Sequence, residues 1–270
     1  MIKMGPVDLV LHLVLATGHL EGRRPVSLLV VAMPGTGKSE ILLRYSEYPC
    51  MMTTTYTSFP RIINLYGADI VSGKLHHMLF PDFGLYSSRP KWIAASELAA
   101  LGSLIEEGVV NWGTQRVNFH MNAAFGVGII ASATPRTLGE IRGLAPSGFF
   151  SRFLKFFYQY SEETGQSIRS GIRGRLQTKF PKDVRHPMQR FRVTANPEIL
   201  REFEDQNLIA LLKDPEDAQG LRIQQQLESL AMAQTLLRGG REVEHADVQL
   251  VMDLCRYFRN YVHESQYPEI

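Results

Sequence analysis

The stretch Ser27-Leu-Leu-Val-Val-Ala32-Met-Pro-Gly35-Thr-Gly37-Lys38-Ser39 decides how this chain is read. Its first half is a short, continuous apolar run rich in branched residues, the pattern of a strand buried on both faces. Its second half is a Pro-Gly-Thr-Gly turn, and residues 38–45 then take helical spacing. Glycines at such a turn let backbone N–H groups point inward around a phosphate chain, and the following helix presents its positive N-terminus. The lysine reaches the β and γ oxygens, and the serine hydroxyl ligates Mg²⁺. The expectation is that Pro34, Gly35, Thr36, Gly37, Lys38, Ser39 and Glu40 hold a nucleoside triphosphate, ATP with Mg²⁺. Ala32 replaces the first glycine of the consensus, at a strand end that need not touch phosphate. A chance glycine-rich turn is the bland alternative; the strand before it and the helix after it argue against that.

Working outward, residues 50–55, 75–80, 127–131 and 153–160 read as further strands. Residues 58–66, with Pro60 in the first turn, and 93–107 read as helices, and 109–125 as a β-hairpin. Strands alternating with helices predict an α/β fold, a P-loop NTPase core whose mostly parallel sheet is covered by helices. We expect residues 1–165 to form that core, with an N-terminal helix over 7–20. Residues 166–194 are polar and basic, including Arg169, Arg173, Arg175, Lys179, Lys182, Arg185, Arg190 and Arg192, and read as a linker or loop. Residues 195–270 read as a small helical lid domain. Asn196-Pro197-Glu198 is a helix start, 221–237 a long helix bounded by Gly239-Gly240, and Val248, Val251, Cys255, Phe258 and Val262 share one helix face.

Composition narrows the class. Of 270 residues, 44% are hydrophobic and 21% charged, ordinary for a globular chain, and the net charge of +2 supplies no global field toward nucleic acid or membrane. The two cysteines, Cys50 and Cys255, lie far apart and read as buried thiols in a reducing compartment, not a disulfide framework. No Cys/His set has zinc-site spacing, and His76-His77 reads as two strand residues facing opposite ways. The apolar segment 7–20 is interrupted by Asp8, His12, Gly18 and His19, is too short to span a bilayer, and precedes no signal cleavage site. The expectation is a cytoplasmic protein with no membrane partner, made by a cell or by a virus or mobile element within one.

A triphosphate site needs a second acid for the Mg²⁺ shell, at the tip of a neighbouring strand. Asp82, after His77-Met-Leu-Phe-Pro81, is the candidate; an Asp in a Pro-Asp turn is the plainer alternative. From this point the order of motifs resembles the AAA+ ATPases, in particular the branch of minichromosome-maintenance helicases and MoxR-type ATPases. Residues 104–110, Leu-Ile-Glu-Glu-Gly-Val-Val, resemble the segment leading into that branch's hairpin. Ile129-Ile-Ala-Ser-Ala-Thr134-Pro-Arg136 is similar to its strand ending in Asn-Pro-Arg, with Thr134 in place of the Asn that positions water or touches the γ-phosphate. Gly148-Phe-Phe-Ser151-Arg152-Phe153 resembles its Leu-Leu-Ser-Arg-Phe, which implies that Arg152 reaches into a neighbouring subunit's site. Leu221-Arg222-Ile-Gln-Gln-Gln-Leu227-Glu228 resembles its lid helix, which implies a nucleotide contact for Arg222; a solvated arginine is the alternative. One departure matters. The family follows its acid with a water-polarising glutamate, and here Phe83 follows Asp82. Glu97, Glu106 and Glu107 come later in the chain as replacement candidates.

The resemblance implies an ATPase, turning ATP and water into ADP and phosphate, working as a ring-forming homo-oligomer, a hexamer being one form, on DNA. In such helicases the hairpin lines a pore, which implies nucleic-acid contacts for Trp112, Arg116, Asn118 and His120; a plain structural hairpin is the other reading. The basic stretch from Arg169 to Arg192 is a second DNA candidate, or a solvated linker. Two functions stay open. One is a DNA motor. The other, which Phe83 favours, is an ATP-gated assembly factor or helicase loader with slow hydrolysis and a protein partner. A small-molecule P-loop kinase would leave the Ser-Arg-Phe element and the C-terminal helices unexplained.

Overall fold

The computed structural model describes residues 5–55, 57–106, 108–113, 118–173, 190–217, 219–259 and 264–270, and only the backbone course over 109–113, 118–125, 169, 171–173 and 264. The elements run α1 (Gly5–Thr17), β1 (Ser27–Val31), α2 (Lys38–Leu43), β2 (Met51–Thr53), α3 (Phe59–Val71), β3 (His77–Phe80), α4 (Lys91–Glu106), β4 (Val109–Gly113), β5 (Asn118–Phe125) and β6 (Gly128–Ala133). They continue with α5 (Pro135–Arg142), β7 (Phe153–Phe157), α6 (Glu162–Arg173), α7 (Pro197–Leu200), α8 (Glu202–Asp205), α9 (Leu208–Leu212), α10 (Leu221–Leu237) and α11 (His245–Leu254).

Five strands form one sheet in the order β2-β3-β6-β1-β7, and every pairing is parallel. This is an α/β fold of the kind shared by Rossmann-like and P-loop-like cores. Parallel strands need crossover connections, which place helices on the sheet's faces and bury both. Successive side chains therefore enter two different cores. Leu28, Val30, Leu79, Ile130, Leu154 and Phe156 pack with α1, α10 and α11. Leu29, Val31, Met78, Ile129, Ala131 and Phe157 pack with α3, α4 and Ile141 of α5. Two apolar faces explain why β1 reads as a continuous run and not as an alternation.

Among the described residues the C-terminal helices share a core with the sheet. Leu227, Leu230 and Ala231 of α10 and Val248 and Val251 of α11 share the first core with Val10, Val14 and the sheet. They form a layer of the α/β body. The basic linker expectation meets α6 over Glu162–Arg173; residues 174–189 lie outside the described residues, as does Val262. β4 and β5 form the expected hairpin, antiparallel and apart from the main sheet, with Trp112 opposite Phe119 and Asn111 opposite His120. Among the described residues no helix is long and apolar enough to cross a membrane.

The α10–α11 connection is locked by Asp247. Its carboxylate accepts from Thr235 Oγ1 (2.8 Å), Arg238 Nε (2.9 Å) and the Glu244 amide (2.9 Å). With Glu244 it forms a reciprocal capping box at the start of α11. Burial pushes this carboxyl up, but the bonds from Arg238, the Glu244 amide and Thr235 outweigh burial and hold it below the ordinary aspartate value. A lowered folded-state value means that its stabilisation is present above the unfolded value, about 3.9, and is lost as pH falls through the folded one. Asp247→Ala should cost about 2 kcal/mol at neutral pH, from the lost cap and the unpaired partners. Denaturant unfolding at pH 7 and at pH 3 should show the difference from wild type shrinking at the acid end. A variant as stable as wild type at pH 7 would contradict the assignment.

Candidate functional site

In an open parallel sheet, loops at the strands' carboxyl ends make the crevice where ligands sit. Here the segments leaving β1, β3 and β6, which are adjacent, bring the predicted residues together. The β1 segment is the glycine loop. Gly35 and Gly37 have φ of 78° and 68°, left-handed values that a side chain would strain, so the loop needs glycine at both. Gly37 caps α2, whose first-turn amides have no partner one turn back. The loop is held closed by Lys38 Nζ and Thr36 Oγ1, both donating to the Met33 carbonyl at 2.8 Å. It is also held from outside. Tyr158 Oη donates to the Thr36 carbonyl at 3.1 Å, and Tyr160 Oη donates to the same oxygen. Both tyrosines follow β7, and burial pushes both phenols up, so they remain donors. Sequence reading missed them; nothing marks two alternate tyrosines after a strand as loop supports.

The β3 segment carries Asp82. Ser39 Oγ donates to the Pro81 carbonyl at 2.8 Å, which sets the loop's serine beside the aspartate. Ser132 Oγ, at the end of β6, donates to the same carbonyl at 2.5 Å. Asp82 is exposed, and its Oδ1 accepts from the Gly84 amide at 2.8 Å, leaving the rest of the carboxylate open to solvent. Burial lowers the Lys38 ammonium, and the charge of Asp82 opposes that shift, so the two are within electrostatic reach. Ser39 and Asp82 are hard oxygen donors of the type that Mg²⁺ takes alongside water and phosphate. Thr134, leaving β6, caps α5: its Oγ1 accepts from the Thr137 amide at 3.1 Å and bonds the Thr137 hydroxyl at 2.9 Å. Glu40 lies in the first turn of α2. The structure thus gathers Lys38, Ser39, Asp82 and Thr134 at one end of the sheet.

Phe83 points the other way. It is fully buried among Phe80, Tyr86, Phe149 and Phe153, with ring centroids 5.0–6.3 Å away. The position after the acid is a core position, filled by a buried ring and not by a water-activating group. Glu106 is not the replacement. It lies at the opposite end of the sheet, where Oε1 takes Arg222 Nε (2.7 Å) and Nη2 (2.6 Å) and Oε2 lies 2.7 Å from Arg152 Nε. That last contact is an ion pair without a well-aimed N–H, and Arg152 Nη1 instead donates to the Gly148 carbonyl at 2.6 Å. Glu97 is on α4, and Glu107 lies outside the described residues.

Arg152 and Arg222 therefore sit together. Arg222 Nη1 also donates to Ser151 Oγ at 2.9 Å. Arg152 immediately precedes β7, whose first residue pairs with Ser27 at the start of β1. The length of a five-residue strand, ~17 Å, separates this pair from the chain's own glycine loop. Arg222 does not reach that loop. With Arg23 and Arg24 the pair lines a cleft of about 410 Å³. Among the residues expected to meet nucleic acid, Trp112 is on β4 and Asn118 and His120 on β5, while Arg116 lies outside the described residues.

No protein-family model and no curated protein matches this chain.

The surroundings of Phe83 yield a test. Phe83→Glu would bury a carboxylate among rings and should cost about 3 kcal/mol or more by denaturant unfolding, with no gain in ATP hydrolysis. A folded variant with raised turnover would show that this position faces the site after all.

Proposed function

We propose that this chain binds Mg·ATP on residues 34–40 and works as an AAA+-type ATPase whose sites are completed between neighbouring copies. The observation that carries the reading is the convergence of Lys38, Ser39, Asp82 and Thr134 at the carboxyl ends of three adjacent strands. Loop amides and the Lys38 ammonium would neutralise the β and γ oxygens, while Ser39 and Asp82 would hold the Mg²⁺ that offsets charge between them. The Thr134 hydroxyl would orient the attacking water or the γ-phosphoryl group. Arg152 and Arg222, remote from their own loop, would serve a neighbour's nucleotide. A guanidinium is permanently charged and forked, which suits the charge that spreads over the γ oxygens. Release of the Glu106 pairing would then accompany assembly. The DNA-motor form of this reading assigns the β4–β5 hairpin, with Trp112, Arg116, Asn118 and His120, to single-stranded DNA.

A second reading is favoured by the burial of Phe83. Without a positioned base, hydrolysis loses ~10²–10⁴ in rate. ATP would then act as a gate that holds an assembly together, as in a helicase loader, and slow hydrolysis would release it.

Steady-state hydrolysis across protein concentrations, with and without single-stranded DNA, separates the two beside Arg152→Ala. The motor reading predicts turnover that rises steeply with concentration, is stimulated by DNA, and falls by about 10³ or more in the variant. ATP binding with background turnover under every condition would replace it with the gate. Turnover that is independent of concentration and intact in Arg152→Ala would contradict shared sites.

A further inference from the structure

Three residues that are distant in sequence converge at the amino end of the sheet, away from the glycine loop. His19 follows α1, Cys50 precedes β2 and His76 precedes β3. All three are buried, and one donor atom from each lies within 4.8 Å of the other two. Sequence spacing gives no zinc-site pattern, and the three residues meet only through the fold; the expectation that His76 and His77 face opposite ways is corrected, since their Nδ1 atoms lie 2.7 Å apart. Both imidazoles are buried, and their rings meet edge to face at 4.9 Å.

Hydrogen-bond direction sets the tautomers of the cluster. His77 Nε2 lies 3.1 Å from the Val26 carbonyl, which can only accept, so that nitrogen carries a proton. In a neutral ring His77 Nδ1 is then an acceptor, and it takes its proton from His76 Nδ1 at 2.7 Å. A neutral His76 then presents its lone pair on Nε2. That lone pair faces His19 Nε2 at 3.2 Å. The Tyr48 hydroxyl is 2.7 Å from the same His19 nitrogen. A tetrahedral zinc ion with Zn–N bonds of about 2.0–2.1 Å would set two imidazole nitrogens ~3.3 Å apart. The relay His76–His77–Val26 carbonyl is the outer-shell pattern that fixes a ligating imidazole's tautomer.

The space is also built. A Cβ on Gly18 would lie 2.2 Å from His76 Nδ1, and one on Gly128 would lie 2.5 Å from the His77 ring. Only residues without side chains admit the two imidazoles where they are.

We propose that His19 Nε2, His76 Nε2 and Cys50 Sγ bind a thiophilic d-block cation, zinc being the first candidate. The Tyr48 oxygen or a water would complete a fourth position. Binding replaces the Cys50 S–H bond with a metal–thiolate bond and releases one proton to solvent. The N₂S donor set selects zinc or copper over magnesium or calcium. The centre pins the end of α1 to the starts of β2 and β3. It is structural, and it is independent of nucleotide.

The test uses the tag-free full chain. Elemental mass spectrometry after dialysis should find one zinc per chain, retained in Cys255→Ser and lost in Cys50→Ser and His76→Gln. Copper in place of zinc, with the same dependence on these residues, supports the site and reassigns the ion. Chain loaded with Co²⁺ should show thiolate-to-metal charge transfer and tetrahedral d–d bands. Cys50 should resist a thiol reagent until a chelator is added, a readout that needs no variant if the substitutions impair folding. Folded wild type that holds no stoichiometric metal and gives no cobalt–thiolate band overturns the proposal and leaves a hydrogen-bonded histidine chain. So does metal that persists in Cys50→Ser.

Discussion

The carbonyl oxygen of Pro81 is where three chain segments meet. It accepts from Ser39 in the glycine loop at 2.8 Å and from Ser132 at the end of β6 at 2.5 Å, while belonging itself to the turn after β3. A buried carbonyl with two hydroxyl donors has both lone pairs satisfied, and removing either hydroxyl would leave it with one donor. This junction ties the glycine loop and the end of β6 to the residue just before Asp82. It rests on the parallel sheet, which brings the strands' carboxyl ends to one edge. The sheet in turn requires both faces to be covered, and the two cores supply that cover.

Much of this was legible because the signals are local. A branched apolar run, two glycines forced to positive φ and a lysine opening a helix are all contained in residues 27–39. The hairpin at β4–β5 and the helix Leu221–Leu237 were read from alternation and from bounding glycines. What escaped depends on tertiary placement. The hydroxyls of Tyr158 and Tyr160 matter only because β7 lies beside β1. The C-terminal helices read as a separate lid, since a helix face gives no hint of which core it will join; α10 in fact packs on α1. The pairing of Arg152 and Arg222 through Glu106 spans 116 residues and has no pattern in sequence. The histidine–cysteine cluster is the extreme case, because metal-site spacing rules presume ligands on one or two elements and these come from three.

The two ends of the sheet divide the labour. Oxygen donors, a lysine and mobile-proton hydroxyls gather at the carboxyl ends, suited to phosphate and a hard cation. The amino ends carry an arginine cleft and, deeper, a nitrogen–sulfur cluster. Glu106 keeps two guanidinium groups paired on a surface that faces away from the chain's own loop. Such a pairing is cheap to exchange for phosphate oxygens, since both partners are charge-assisted acceptors of the same geometry. Phe83 sets a different limit: a ring packed against four others cannot serve water, whatever binds above it.

The proposed Mg·ATP site on residues 34–40 sets Lys38 on the phosphates. Calorimetric titration of Mg·ATP into wild type and Lys38→Ala tests it most directly. One saturable site per chain is expected in wild type, with an affinity ~10–100-fold weaker in the variant from the loss of a charge-assisted contact. No saturable binding in wild type, or equal affinity in both, would contradict it.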